Sequence, residues 1–401
     1  MSTTADSVAG RVIINAILAS KLGTQLLIVA VPVALFQATG SVTAALGGSI
    51  LQSFPLLLSP FIGLAIDRFD RMRLFMFSEG LQLVAVTTLA LSIGSPGPVT
   101  YAALLVGSTM AVCSSLITSF VLIPTFVPRD RLQRTNAYFT GGSQVIAVVG
   151  LPLGGVVIGL AGARTTLLID AATFLITIGV AAFAPRASLV RPRRALPVSA
   201  LLEGWRYLRR DGVLLRLAMT LGLSNLGAGA LNVIVVTRAH EWGWGPSVQG
   251  VAMGVGAIGA AVGAFYAGGR KQVTELRSGL LLTLAGAVAM LAFHGGPVLL
   301  VGFFVLSFGE GVLNVRSITF RQTRIPAELT GRANALIRTI ILGAVPLSSG
   351  LQLAVTNHAP EAVFAIPVAG TLAALLTWLT AVPRAGSVRS PAEADRTAGL
   401  L

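Results

Sequence analysis

The chain of 401 residues is 54% hydrophobic and 11% charged, with a formal net charge of +14. Soluble domains carry about 25% charged residues, so this composition excludes a water-soluble globular fold. The basic residues fall in short clusters between apolar runs, which argues against a nucleic-acid-binding face. The single cysteine, Cys113, excludes a disulfide framework or a cysteine-rich metal site.

A bilayer core about 30 Å thick needs roughly 20 residues of helix. The first apolar run, 12–36, meets that length, and no cleavable signal pattern precedes it. It carries Asn15, Lys21, Thr24 and Gln25, with Lys21 near mid-depth. The second run, 42–66, ends in GLAIDRFDRMRLF (63–75). The third, 74–94, contains Glu79; the fourth, 99–124, has Ser108, Ser115 and Ser119 on one side. The fifth, 136–160, holds GLPLGG (150–155), and AGAR separates it from the sixth, 165–184, which contains Asp170.

Residues 185–212 are the longest loop. Within VSALLEGWRYLRRDG, Leu201, Leu202, Trp205 and Leu208 share one helical face, and the charged residues lie around the rest. This pattern predicts an interfacial amphipathic helix with Trp205 and Tyr207 at the headgroup level. A passive linker on the membrane and a regulatory element both fit it.

Six more runs follow: 213–237, 247–268, 276–294, 298–322, 333–356 and 361–382, with a tail at 383–401. The seventh has Asn225 and Asn232, with Gly229 between them. In the tenth, Ser307, Glu310, Asn314, Ser317, Arg321 and Arg324 recur at spacings of 3, 4, 3, 4 and 3, the pattern of one helical face. Arg316 lies about 120° from that stripe, so it faces another helix.

A charge in hydrocarbon costs roughly 2.5–3.5 kcal/mol. Lys21, Glu79, Asp170, Glu310, Arg316 and Arg338 are therefore expected to face protein or water. Glu79 and Arg338 lie close enough to helix ends to snorkel. Asp170 could pair with Arg164 or with another helix.

Placing the N-terminus inside leaves Arg164 and Arg238 in outer loops and gathers the other loop arginines and Lys271 on the cytoplasmic side. Both termini are thus expected to be cytoplasmic. VPRDRLQRTNA (127–137) and IPAELTGRANA (325–335) match at five positions, each pair 198 residues apart. The expected fold is all-α: twelve transmembrane helices in two six-helix bundles, 1–184 and 213–382, related by a pseudo-two-fold axis.

The stretch 63–75 resembles the signature loop of the major facilitator superfamily through Gly63, Asp67, Arg68, Arg71 and Arg73, with Asp70 where the family has a second glycine. With IDAATF (169–174) and EGWRYLRR, it is similar to the drug:proton antiporter branch of macrolide and tetracycline exporters. GLPLGG keeps the branch's glycine spacing at Gly150, Gly154 and Gly155, but its proline is shifted to Pro152. The fourth span lacks the arginine that many drug exporters carry there.

The resemblance implies that spans one, four, seven and ten line a central cavity, drawing on Asn15, Thr24, Gln25, Ser115, Asn225, Asn232, Ser307, Asn314 and Ser317. It assigns conformational roles to Gly63, Asp67, Arg68, Arg71, Pro152, Gly154 and Gly155. Arg134, Arg316 and Arg332 complete the expected gating set. Glu310 is expected to titrate, with Lys21 as counter-charge and Asp170 as a second candidate; a fixed ion pair locking the halves is the alternative.

No phosphate-binding Gly-Lys-Ser/Thr motif is present, and His240, His294 and His358 are too dispersed for a metal motif. A secondary transporter is expected rather than an enzyme: a monomer without cofactor, whose partners are a small-molecule substrate, protons and lipids. Export of a hydrophobic or amphiphilic compound leads, and an uptake permease or a lipid or siderophore exporter is the alternative. Arg outnumbers Lys 27 to 2, which suits a GC-rich bacterium and hence a bacterial inner membrane.

Overall fold

In hydrocarbon, every backbone N–H and C=O must be satisfied within the protein, and a helix does so within one segment. The computed structural model describes residues 2–66, 69–118, 122, 129–183, 198–268, 276–293, 297–325 and 330–380. Among these there are helices and turns but no strand. The helices are α1 Ser2–Thr39, α2 Val42–Ser53, α3 Ser59–Ile66, α4 Arg71–Ser92, α5 Pro98–Ile117, α6 Arg129–Ala182 and α7 Val198–Arg210. After these come α8 Gly212–Ala228, α9 Leu231–Glu241, α10 Pro246–Gly268, α11 Leu276–Ala292, α12 Leu299–Arg324, α13 Thr330–His358 and α14 Ala365–Leu379. Short 3-10 turns, Phe54–Leu56 and Pro360–Phe364, lead out of α2 and into α14.

Among the described residues, eight helical stretches are long and apolar enough to cross a membrane; Val42–Leu56, Val251–Ala267 and Leu276–Ala292 are shorter apolar helices. Large apolar side chains are exposed on the outside, with Leu160, Phe265 and Phe183 at 83%, 81% and 92%. Such a surface suits lipid rather than water.

Local chemistry explains where the helices break. AGAR interrupts α6 at Gly162, whose φ of 80° and ψ of 163° no L-residue adopts easily. The second expected span is divided: Pro55 lies in the 3-10 turn and Pro60 is the second residue of α3. The seventh is divided into α8 and α9 at Gly229 and Ala230. Asp70, the departure from the family's loop, caps α4 by accepting from the Arg73 backbone N–H at 2.9 Å.

Without a hydrophobic force between helices in lipid, close backbone approach holds them together. Gly259 and Gly263 let α10 lie against the carbonyls of Phe304 and Phe308 on α12, where any Cβ would collide. Between the segments before residue 183 and after 198, the most extensive contacts join α6 to α10 and α2 to α13. At the end of the molecule where α1 turns into α2, Thr43 donates to Asn357 at 3.0 Å. Nearby, the hydroxyls of Ser49 and Ser349 lie 3.3 Å apart, and Phe36 meets His240 edge-on at 4.8 Å.

The expected amphipathic helix forms as α7, and it docks on protein rather than lying free. Leu208 is fully buried with Leu214, Leu217 and Leu276. The Tyr207 hydroxyl donates to the Arg324 carbonyl at 3.3 Å, and Arg324 pairs with Asp211 at 2.7 Å. Burial, with the Asp211 carboxylate as a second cause, pushes the Tyr207 phenol up; Arg324 opposes this.

Candidate substrate cavity

A cavity of about 330 Å³ lies among α1, the α2–α3 span, α4, α5 and the second part of α6, with α13 closing one wall. Its walls are largely apolar, from Leu27, Ile28, Leu89, Leu104, Phe174 and Leu342. Its polar groups include Thr24, Gln52, Gln82, Ser108, Ser115, Asp170, Asn334 and Arg338. An apolar chamber with a few convergent polar groups is the usual form of a small-molecule site.

Asp170 is fully buried and borders this cavity. Its place depends on α1: Gly23 leaves room for the carboxyl, and a Cβ there would run into its Oδ1. Thr173 lies alongside but donates its only hydroxyl proton to the Asp170 backbone carbonyl at 2.7 Å. Both carboxyl oxygens of Asp170 are left without a hydrogen-bond partner, and so is Nε2 of Gln52. Of the two pairings open to Asp170, the one with Arg164 does not form: Arg164 is exposed and the carboxyl accepts no hydrogen bond.

Glu79 is within electrostatic reach of Asp170. It does not snorkel as expected. It is 3% exposed; its Oε1 accepts from the Ser114 hydroxyl and, at 3.5 Å, from Gln82 Nε2, while its Oε2 has no partner. The Ser114 hydroxyl of α5 and the Gln82 amide hold one carboxyl oxygen inside the protein.

The other expected cavity residues disperse. Thr24 and Ser115 border the chamber. Asn15 is exposed and accepts from the Tyr138 hydroxyl at 3.0 Å. Gln25 packs beneath Gly150. Asn225 donates from Nδ2 to the Ile341 carbonyl at 2.9 Å and so ties α8 to α13. Asn232 is half-buried on α9.

On α12, Ser307 and Ser317 are buried, Glu310 is half-buried and Asn314 is exposed. Arg321, on the same stripe, donates to Asn334 of α13 at 3.3 Å. Arg316 points elsewhere and donates to the Ser278 hydroxyl on α11. Lys21 and Glu310 form no ion pair with each other: Lys21 Nζ lies 5.0 Å over the Phe139 ring, and Glu310 is outside the lining of the chamber.

Of the expected gating residues, Asp67 and Arg68 lie outside the described residues, as do the side chains of Arg71, Arg134, Pro152 and Arg332. Gly63 is in α3, and Gly154 and Gly155 are buried in α6. Among the described residues, no cluster of three or more His, Cys, Asp or Glu could hold a metal ion.

Sequence reasoning missed Gln52, Gln82 and Asn334 as lining residues and assigned Arg338 elsewhere. The signal was present: Gln52 and Gln82 are amides within apolar runs. The family resemblance points to spans one, four, seven and ten, whereas Gln52 and Gln82 lie on the second and third.

A multi-pass helical membrane protein with a largely apolar chamber between its helices, carrying a few convergent polar groups, has the architecture of a transporter rather than an enzyme. Residues 13–340 match the family model of the Major Facilitator Superfamily, and the chain belongs to that superfamily. Among its relatives, the enterobactin exporter EntS of Citrobacter koseri is 27% identical over 336 residues, covering 79% of this chain and 80% of the relative. The enterobactin exporter EntS of Escherichia coli O1:K1 / APEC is 27% identical over 289 residues, 69% of each chain.

Two solved structures share the fold. A bacterial homologue of the iron transporter ferroportin, in an inward-facing state, is 17% identical, with a TM-score of 0.71 over 93% of this chain and 98% of the other. The nucleoside transporter NupG is 10% identical, with a TM-score of 0.68 over 93% and 98%.

Proposed function

We propose that this protein is a proton-coupled secondary exporter of a hydrophobic or amphiphilic small molecule. In this reading, twelve spans form two six-helix halves, 1–184 and 213–382, that rock in a bacterial inner membrane with both termini cytoplasmic. The observation that carries the reading is the apolar chamber, walled by helices of the first half and by α13 of the second, with a buried unpartnered carboxyl at its edge. A site built from both halves is exposed alternately when they rock. The names of the EntS relatives support the direction of transport.

Two carboxyls are candidates for the coupled proton. Asp170 borders the chamber, so bound substrate and a proton would compete for it directly. Glu310 lies on the polar stripe of α12, outside the lining of the chamber, and would act through the position of that helix. The test is transport in proteoliposomes with an imposed pH gradient. The variant that removes the coupling group, Glu310→Gln or Asp170→Asn, is expected to lose gradient-driven transport of a neutral amphiphile while facilitated exchange of it persists. A normal gradient-driven rate in either variant removes that residue from the coupling.

A second reading, a siderophore exporter, is favoured by the relatives named as enterobactin exporters. It predicts that deleting the gene lowers the siderophore released into the medium during iron starvation. The drug-export reading predicts increased sensitivity to amphiphilic antibiotics instead. One deletion strain measured both ways separates the two.

A further inference from the structure

The chamber's polar groups define what can sit in it. Asp170 presents two oxygens without a donor, and Gln52 presents an amide nitrogen without an acceptor. Both are in the lining of the same cavity. A buried polar group left unpaired costs about 1–3 kcal/mol, and more when charged. Ionised, the Asp170 carboxylate accepts from no donor of the protein.

The chamber's own cation does not solve this. Arg338 lines the cavity but makes no hydrogen bond to Asp170. A second acid, Glu79, lies within electrostatic reach of Asp170 and is held by Ser114 and Gln82. Lys21 and Arg321, each within electrostatic reach of Arg338, are further cations nearby, and neither is in the chamber's lining. The rest of the wall, from Leu27 to Phe174, offers apolar contact.

We propose that this chamber recognises the protonated amine of an amphiphilic ligand. The ammonium sits on Asp170, the Gln52 amide donates to an acceptor elsewhere on the ligand, and the apolar body fills the space between Leu104 and Phe174. The inference rests on the reading of this chamber as the substrate site and specifies the chemistry that it selects. A charge-assisted hydrogen bond in a low-dielectric chamber is roughly twice as strong as a neutral one. The same apolar body without the ammonium leaves Asp170 unpaired. Discrimination therefore comes from the head group.

The test uses the purified full chain in detergent micelles, with thermal unfolding followed as ligand is titrated. Adamantylmethylamine and adamantylmethanol share one compact apolar cage, and only the amine is a cation. The amine is expected to bind about tenfold to a hundredfold more tightly than the alcohol. Asp170→Asn, nearly isosteric, is expected to remove that preference. If Asp170→Asn is not monodisperse, Leu104→Trp fills the chamber without touching the carboxyl and is expected to weaken amine binding by a similar factor.

Equal affinity for amine and alcohol in the native chain overturns the proposal. So does a preference that survives Asp170→Asn, or an amine affinity that Leu104→Trp leaves unchanged. Vesicle transport separates this outcome from the broader reading. Amine recognition without gradient-driven transport leaves the site standing and removes the exporter. Transport of a neutral substrate without amine preference does the reverse.

Discussion

At the scale of single residues, α4 and α6 carry two buried acids, Glu79 and Asp170, with different surroundings. Glu79 has partners on one oxygen, and Asp170 has none on either. Ser114→Ala leaves Glu79 with only the long contact to Gln82, and is expected to cost about 1–3 kcal/mol as a lower unfolding midpoint in detergent. An unchanged midpoint would show that the short Ser114 bond contributes nothing to stability. Asn225 illustrates how sequence and structure diverge. An amide in an apolar span reads as a substrate contact, yet its donor is used on the Ile341 carbonyl. Asn225→Leu is therefore expected to destabilise the fold by about 1 kcal/mol and to change ligand affinity little.

At the scale of elements, close approach and capping decide the packing. Gly259 faces the Phe304 carbonyl and Gly263 the Phe308 carbonyl, where backbone leaves no room for a side chain. Gly263→Val is expected to force α10 away from α12 and cost about 1–3 kcal/mol or more, read as loss of monodisperse protein in size exclusion. Asp211 and Arg324 give a graded comparison. Arg324 is partly exposed, so Arg324→Ala is expected to cost less than about 1 kcal/mol. Asp211 also accepts from the backbone N–H groups of Val213 and Leu214, at 3.2 Å each, and caps α8. Asp211→Ala is expected to cost about 1 kcal/mol more than its partner's change. Equal midpoints for the two variants would remove the cap from the account.

At the scale of the whole molecule, the proposed cycle requires the two halves to separate where α2 meets α13. The Ser49 and Ser349 hydroxyls lie 3.3 Å apart there. A Ser49→Cys, Ser349→Cys pair is expected to form a disulfide on mild oxidation, since the side chains already meet. Cys113 is buried and should not compete. Oxidation is expected to stop turnover and reductant to restore it. Full transport in the cross-linked protein would sink the rocking reading.

Much of the architecture was legible in the sequence for local reasons. AGAR marks the break in α6 because Gly162 takes a φ that other residues avoid. VSALLEGWRYLRR forms α7 because its apolar residues repeat at helical spacing. The spacing on α12 separates Arg316 from the Glu310 stripe because a helix has a fixed turn angle. What the sequence could not determine is how each apolar helix is rotated about its own axis. Lipid and protein interior are both apolar, so hydrophobicity marks no inward face. Only tertiary packing, set by glycine approaches such as Gly23 under Asp170 and by inter-helix bonds such as Asn225 to Ile341, brought Gln52, Gln82, Asp170 and Asn334 to one chamber. The same packing left Lys21 over Phe139 and away from Glu310.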